Sequence, residues 1–123
     1  MTIIEAINRT DNIKPNGYSQ ADKIKWLSTL DGEIKSKILD THEGNTPSYT
    51  GYEETTPIDT ELLVPAPYDV VYIHYLSMQI DYANGEYGKY NNSMSLYNSA
   101  YSEYERYYKR DHMPKSRASR FLF

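Results

Sequence analysis

Histidines and carboxylates are the side chains in this sequence best suited to catalysis, and their spacing does not predict a reaction. His42, His74 and His112 fall on three separate segments, and none has a second histidine or a carboxylate at a metal-ligand spacing such as HExxH. Asp81 and Glu86 flank the turn at Gly85, where an acid/base pair is conceivable, but carboxylates at helix ends are usually solvated or capping. The sequence also lacks a P-loop, a GxGxxG and a GxSxG motif. We therefore predict no enzyme, no cofactor and no metal site, and interpret His74 as a packed histidine.

Tyrosine is the residue type whose spacing carries most information. A row of tyrosines, interrupted by Met94, recurs at steps of three and four, which places all of them on one face of a single helix. Because a tyrosine ring gains from burial while its hydroxyl needs a partner, such a face suits partly wet packing, and tyrosine is enriched in interfaces between proteins. We divide the row between packing within the chain and contact between subunits. The predicted subunit-interface residues are Tyr87, Tyr90, Tyr97, Tyr101, Tyr104 and Tyr108.

Charge is distributed unevenly along the 123 residues. Residues 1–105 hold seven basic against sixteen acidic side chains, a net charge of −9, whereas residues 106–123 hold six basic against one acidic, a net of +5. An acidic body with a basic tail indicates a body that does not adhere to DNA and an arm that docks on a partner. The apolar tip of the tail, Phe121-Leu122-Phe123, supports docking, and stacking of the tyrosines on nucleic-acid bases is the weaker alternative.

Four helices are predicted to position these residues, in one all-α domain of residues 1–113 followed by a basic, flexible arm of residues 114–123. The first spans residues 2–9 and is broken by residues 14–17. The second runs from an N-cap at Ser19, with Asp22 as reciprocal capping-box partner, to about Asp40. Its apolar face comprises Ile24, Leu27, Leu30 (or Asp31), Ile34 and Ile38. Gly32 within it suggests close approach by a neighbour, with chance as the rival explanation.

The two C-terminal helices are the long ones of this small bundle. Residues 43–67 form a long loop or a short β-ribbon that pairs residues 49–53 with 61–64. The third helix, residues 68–84 with Pro67 in its first turn, is apolar nearly all round and should be central. Gly85 ends it, and the tyrosine helix runs from Glu86 to about His112. The absence of cysteine, of a signal-peptide pattern and of a membrane-spanning run predicts a soluble, intracellular protein.

Several stretches of the chain resemble the small helical head–tail connector (adaptor) proteins of long-tailed bacteriophages and prophages. They are KWLSTLDGEI at 25–34, LVPAPYD at 63–69, IDYANGEY at 80–87, YNNS at 90–93 and YNSAY at 97–101. The resemblance implies a ring of about a dozen copies beneath the portal, which extends the DNA channel and joins the capsid to the tail or stopper protein. DNA would pass without sequence-specific binding, and no membrane is involved. The implied location is the virion neck, with the host cytoplasm during assembly.

The resemblance also gives the arm a role, because C-terminal segments of related connectors can reach the portal. The candidate portal-docking residues are Arg117, Arg120, Phe121, Leu122 and Phe123. Two other hypotheses stay open. One is a small DNA-binding or packaging accessory protein that uses the basic C-terminal end. The other is a small enzyme with a pocket near His74 and Asp81.

Overall fold

A computed structural model describes residues 1–44 and 47–115 of the chain. Four α-helices account for its regular structure: α1 (Ile3–Ile13), α2 (Gln20–Ile34), α3 (Val70–Ala83) and α4 (Tyr87–Asp111). A π-helical turn, Lys35–Leu39, continues α2 without a break. The predicted all-α bundle of four helices is thus confirmed, with α4, at 25 residues, the longest element. The prediction that both C-terminal helices are long was wrong for α3, which at 14 residues is shorter than the 15-residue α2 because it begins only at Val70.

The N-terminal helix begins at a capping box, which was not among the predicted features. The Thr2 side chain accepts a hydrogen bond from the Glu5 amide, and the Glu5 carboxylate accepts one in return from the Thr2 amide. The helix ends at Ile13, four residues beyond the predicted end, just before the predicted breaker segment. Ile3, Ala6 and Ile7 form its buried face.

The start of α2 was predicted correctly at Ser19, whose hydroxyl accepts from the Asp22 amide at 3.1 Å. The reciprocal contact does not form here, since aspartate is one methylene shorter than the glutamate of a capping box. The predicted face is buried throughout: Ile24, Leu27, Leu30, Ile34 and Ile38 are each at most 5% exposed. No atom of the described residues lies within 4 Å of a Cβ built at Gly32, which contradicts close approach by a neighbour and leaves chance, the rival explanation.

The described residues between the π-helical turn and α3 form a loop, and of the two predicted alternatives the β-ribbon between residues 49–53 and 61–64 does not form. Glu61 instead makes an isolated antiparallel bridge with Thr2, next to α1. The amide of Tyr52 donates to the hydroxyl of Ser28 on α2, at 2.9 Å. At these two positions the loop backbone hydrogen-bonds with a side chain of α2 and with the residue before α1, in place of the second strand that was expected.

The third helix is the central one, as predicted, and it contacts α1, α2 and most extensively α4. Residues on nearly every side of it are buried, among them Val71, Tyr72, Leu76 and Ile80. Pro67 lies before the helix rather than in its first turn, since α3 begins only at Val70. Gly85, with φ of +74°, makes the turn into α4.

Candidate functional site

The tyrosine row of α4 passes from the interior to the surface along the helix. Tyr104 and Tyr108 are 2% and 8% exposed, so their rings belong to the core of the chain itself. Tyr90, Tyr97 and Tyr101 are half-buried, and Tyr87 is 63% exposed. The helix is about 37 Å long, so one face can be covered by the rest of the chain at its C-terminal end and exposed to solvent at its N-terminal end. Contact between subunits stays a prediction, and the tyrosines exposed enough to make it lie toward the N-terminal end of α4.

Aromatic contacts from other elements cover the C-terminal part of the row. The ring centroid of Tyr68, just before α3, lies 6.0 Å from that of Tyr104. Tyr108 lies edge-on to His42 at 6.2 Å and stacks on His112 at 3.8 Å, with the two planes 5° apart. These contacts leave little of Tyr104 and Tyr108 for another molecule.

The open end of the row forms an aromatic patch at the turn between α3 and α4. Tyr82 is 59% exposed, and its ring centroid lies 6.3 Å from that of Tyr87 and 5.4 Å from that of Tyr90. We call Tyr82, Tyr87 and Tyr90 the turn patch. Tyr82 was missing from the predicted interface because it lies on α3, although its position just before the Gly85 turn was a usable signal. Exposed aromatic side chains in contact with one another are typical of binding surfaces.

The middle of the row contains an unsatisfied group. The Tyr101 hydroxyl is buried and has no hydrogen-bond partner among the described residues. Burial raises the pKa of Tyr101 to about 12, and the charges of Glu33 and Glu105 act in the same direction. Burial also raises the pKa of Tyr97, again reinforced by Glu33. Both tyrosines are therefore neutral at physiological pH. The Tyr101 hydroxyl makes no hydrogen bond to the described residues, so none of them offsets the cost of burying it.

A buried carboxylate lies where α2, the loop and α3 meet. Asp31 is fully buried and accepts hydrogen bonds from the hydroxyls of Tyr52 and Tyr72 and from the Leu63 amide. The Tyr72 hydroxyl in turn accepts from the Val64 amide at 2.7 Å. Burial raises the pKa of Asp31, and the three donors oppose that rise. The cluster fixes the loop to two helices, so its arrangement is structural.

The second buried carboxylate is Asp81 on α3. Lys14 Nζ lies 2.6 Å from its Oδ1 and 2.7 Å from its Oδ2, and the Ser93 hydroxyl donates to Oδ2 at 2.7 Å. Glu86, the other half of the conceivable acid/base pair, is paired with Lys89 at 2.7 Å. Each carboxylate therefore has its own cation, and Asp81 ties the end of α1 to α3 and α4.

Histidine and metal chemistry receive no further support from the geometry. His74 is half-buried on α3, and burial lowers its pKa. Within residues 1–44 and 47–115, no three His, Asp or Glu side chains converge in a way that could hold a metal ion.

The basic C-terminal end is only partly described. Arg106, Lys109 and Arg110 are exposed on the last turns of α4, and Lys109 pairs with Glu105 at 3.2 Å. The predicted arm begins at Pro114, which makes an isolated bridge with His42. The candidate portal-docking residues lie outside the described residues, since these end at Lys115.

None of the four helices combines the length and the apolar character that a bilayer crossing requires, within the described parts of the chain. Comparison of the chain with protein-family models, with curated proteins and with solved structures gives no match.

Proposed function

We propose that this chain is a structural virion protein, a head–tail connector that forms a ring under the portal, extends the DNA channel and joins the capsid to the tail. The observation that carries the proposal is the turn patch, an exposed aromatic cluster on a small helical chain with no assembled catalytic group among its described residues. Its partners are the portal protein, a tail or stopper protein and about a dozen copies of itself. It acts in the virion neck and is made in the host cytoplasm.

The turn patch supplies one side of a contact between neighbouring copies. In the proposed ring the turn patch meets a different surface on the next copy, and a heterologous contact of this kind closes into a ring when the rotation allows. Tyrosine provides large contact area at an interface and a hydroxyl that tolerates water. The buried end of the row keeps α4 fixed in the bundle, so the patch is presented on a rigid element.

Charge supports a channel role. Residues 1–105 carry a net charge of −9, and a negative wall repels phosphates, so DNA slides past without sequence-specific binding. The channel role requires neither a membrane nor a cofactor.

Two single substitutions separate assembly from folding. Tyr87→Glu changes an exposed side chain at the first position of α4, where a negative charge is favourable to the helix. We expect it to keep the melting temperature of the wild type and to lose ring formation on the portal, measured by sedimentation with purified portal rings. Tyr104→Ala is the matched control, since it removes a core ring and should lower the melting temperature by more than 10 °C. Normal ring formation by Tyr87→Glu would remove the turn patch from the interface.

A DNA-binding or packaging accessory protein is the second candidate. The observation that favours it is the exposure of Arg106, Lys109 and Arg110 on the last two turns of α4. Phosphate contacts by these side chains would produce an affinity that falls steeply with salt.

A further inference from the structure

The side of α4 that faces away from the bundle is exposed and uncharged over most of its length. No Asp, Glu, Lys or Arg occurs between Lys89 and Glu103. The exposed side chains within this stretch are Asn91, Asn92, Ser95, Leu96, Asn98 and Ser99. The exposed face of a surface helix usually carries charged residues, and asparagine and serine are weaker helix formers than lysine or glutamate. Because charged residues are depleted at the centre of protein interfaces, this composition indicates a surface that meets another protein.

One row on this surface has opposite charges at its two ends. Lys89, Leu96 and Glu103 recur at steps of seven residues, so they lie along one stripe of the helix. Leu96, in the middle, is a large apolar side chain that is 54% exposed. Glu103 is exposed and has no ion pair with any residue in 1–44 and 47–115. We call this row, with the positions beside it, the outer face of α4: Lys89, Asn92, Ser95, Leu96, Ser99 and Glu103.

The outer face of α4 is complementary to a second copy of itself in the reverse direction. In an antiparallel pair with a two-fold axis at Leu96, Lys89 of each copy lies opposite Glu103 of the other, and the two Leu96 side chains meet. A parallel pair would bring Lys89 against Lys89 and Glu103 against Glu103, and like charges across an interface repel. Charge therefore selects the antiparallel arrangement, with uncharged side chains between the two ion pairs.

Lys89 already has a partner on its own helix, the Glu86 carboxylate at 2.7 Å. Both side chains of that pair are exposed, at 66% and 40%, and an exposed pair of this kind contributes little to stability. An ammonium group also carries three donors. Lys89 can therefore bind Glu86 and the Glu103 of a second copy together, or exchange one for the other at little cost.

The size of the outer face indicates a weak and reversible contact. From Lys89 to Glu103 the helix is about 21 Å long, and with side chains it is about 10 Å wide. Each copy would thus bury only a few hundred Å², which lies at the low end for specific association. Tyr87 lies about 160° around the helix from Lys89, so the turn patch is left free for another contact.

We propose that two copies of this chain associate through the outer face of α4, antiparallel and about a two-fold axis at Leu96. The contact is isologous, so it closes at two copies and builds neither a ring nor a filament. It goes beyond the connector role and does not depend on it.

Sedimentation equilibrium of charge variants tests the pairing. We expect the wild type to form a reversible dimer as the protein concentration rises toward about 1 mM. Glu103→Lys should weaken the dimer about tenfold, since both ion pairs become like-charge contacts. Lys89→Glu combined with Glu103→Lys restores opposite charges and should return the dissociation constant to within about threefold of the wild type. A monomeric wild type at the highest concentration, an unchanged Glu103→Lys dimer or a double variant without recovery would each overturn the proposal.

Glu54→Lys is the matched control for net charge. Glu54 is an exposed loop residue without an ion pair to the described residues, and its reversal changes the net charge by the same amount as Glu103→Lys. We expect this variant to dimerise like the wild type. Equal weakening in the two single variants would show that net charge sets the affinity, and would overturn the pairing of Lys89 with Glu103.

Chemical cross-linking locates the contact, because the chain has no cysteine of its own. Leu96→Cys places a thiol of each copy at the two-fold axis, where a short bismaleimide should join them. Tyr87→Cys places the two thiols about 27 Å apart along the helix axis, so it should stay monomeric. Cross-linking at Tyr87 without cross-linking at Leu96 would move the contact to the turn patch and overturn the proposal. A chain that pairs through Leu96 but does not bind a portal would retain this inference and lose the proposed function.

Discussion

Removing the hydroxyl of Tyr72 should destabilise the chain, because this one atom makes two buried hydrogen bonds. Tyr72 is fully buried, and its hydroxyl joins two groups: it donates to Asp31 Oδ1 at 2.6 Å and accepts from the Val64 amide at 2.7 Å. In Tyr72→Phe both groups stay buried and each loses a partner. The change creates no cavity larger than one oxygen atom, so the hydrogen bonds account for most of the effect.

The magnitude follows from the two lost hydrogen bonds: Asp31 keeps its bonds from Tyr52 and Leu63, whereas the Val64 amide loses the Tyr72 hydroxyl. A hydrogen bond to a charged acceptor contributes about 1.5 to 3 kcal/mol, and an unpaired buried amide costs about 1 to 3 kcal/mol. Partial relaxation reduces the sum, so we expect a loss of about 3 kcal/mol in the free energy of unfolding. For a chain of this size that corresponds to a fall of roughly 12 °C in the melting temperature. With a urea m-value of about 2 kcal/mol/M, the midpoint should fall by about 1.5 M.

The assay is urea unfolding followed by circular dichroism, with Tyr101→Phe as the matched control. That variant removes the same atom from a hydroxyl that is buried and unpartnered among the described residues, so stability should stay equal or rise by up to about 1 kcal/mol. Equal losses in the two variants would refute the reasoning, because they would show that the hydroxyls act through packing alone. A shift below 1 kcal/mol in Tyr72→Phe would refute the structural role given to the Asp31 cluster.

The other predictions concern single groups elsewhere in the chain. Gly32→Ala should raise the free energy of unfolding by about 0.5 to 1 kcal/mol in thermal unfolding, since a Cβ there meets no atom of residues 1–44 and 47–115; destabilisation would contradict this open environment. Lys14→Ala should lower the free energy of unfolding by about 2 to 3 kcal/mol, because it leaves the buried Asp81 carboxylate without its cation. Lys37→Ala removes an exposed ion pair with Glu33 and should lower it by less than about 0.5 kcal/mol. Similar losses in the two variants would show that burial of the ion pair is unimportant. Burial raises the pKa of Asp31 above its ordinary 3.8, so the folded chain binds this proton more tightly than the unfolded chain. As the pH rises from 4 through the folded pKa, the free energy of unfolding of the wild type should therefore fall relative to that of Asp31→Asn. Constant relative stability across that range would contradict the raised pKa. In a gel-shift assay at low salt we expect no binding of duplex DNA, and a salt-sensitive shift would favour the accessory-protein alternative.

Local patterns in the sequence were sufficient to predict the helices. The apolar spacing of α2, the break at residues 14–17 and the Gly85 turn depend on neighbouring residues, so periodicity and turn chemistry located them. Aspartate at the first turn of α2 misled the capping-box prediction because its side chain is too short. Of the two explanations given for Gly32, close approach by a neighbour was wrong, since Gly32 lines an open groove and no described residue contacts a Cβ built there.

Long-range polar contacts were beyond such patterns. Asp31 was only an alternative position on an apolar face, because its partners Tyr52 and Tyr72 lie 21 and 41 residues away and nothing in the local sequence pairs them. Periodicity likewise placed the tyrosines on one face of α4 without showing which part of that face the chain covers itself. The cover over Tyr104 and Tyr108 comes from Tyr68 and His42, both distant in sequence.

The proposed connector role is tested most directly by electron microscopy of the cognate portal ring, before and after the chain is added in excess. We predict symmetric extra density at one end of the portal, with one copy of the four-helix bundle per repeat and the turn patch of each copy against its neighbour. A portal reconstruction that is unchanged at high protein concentration would contradict the proposed function.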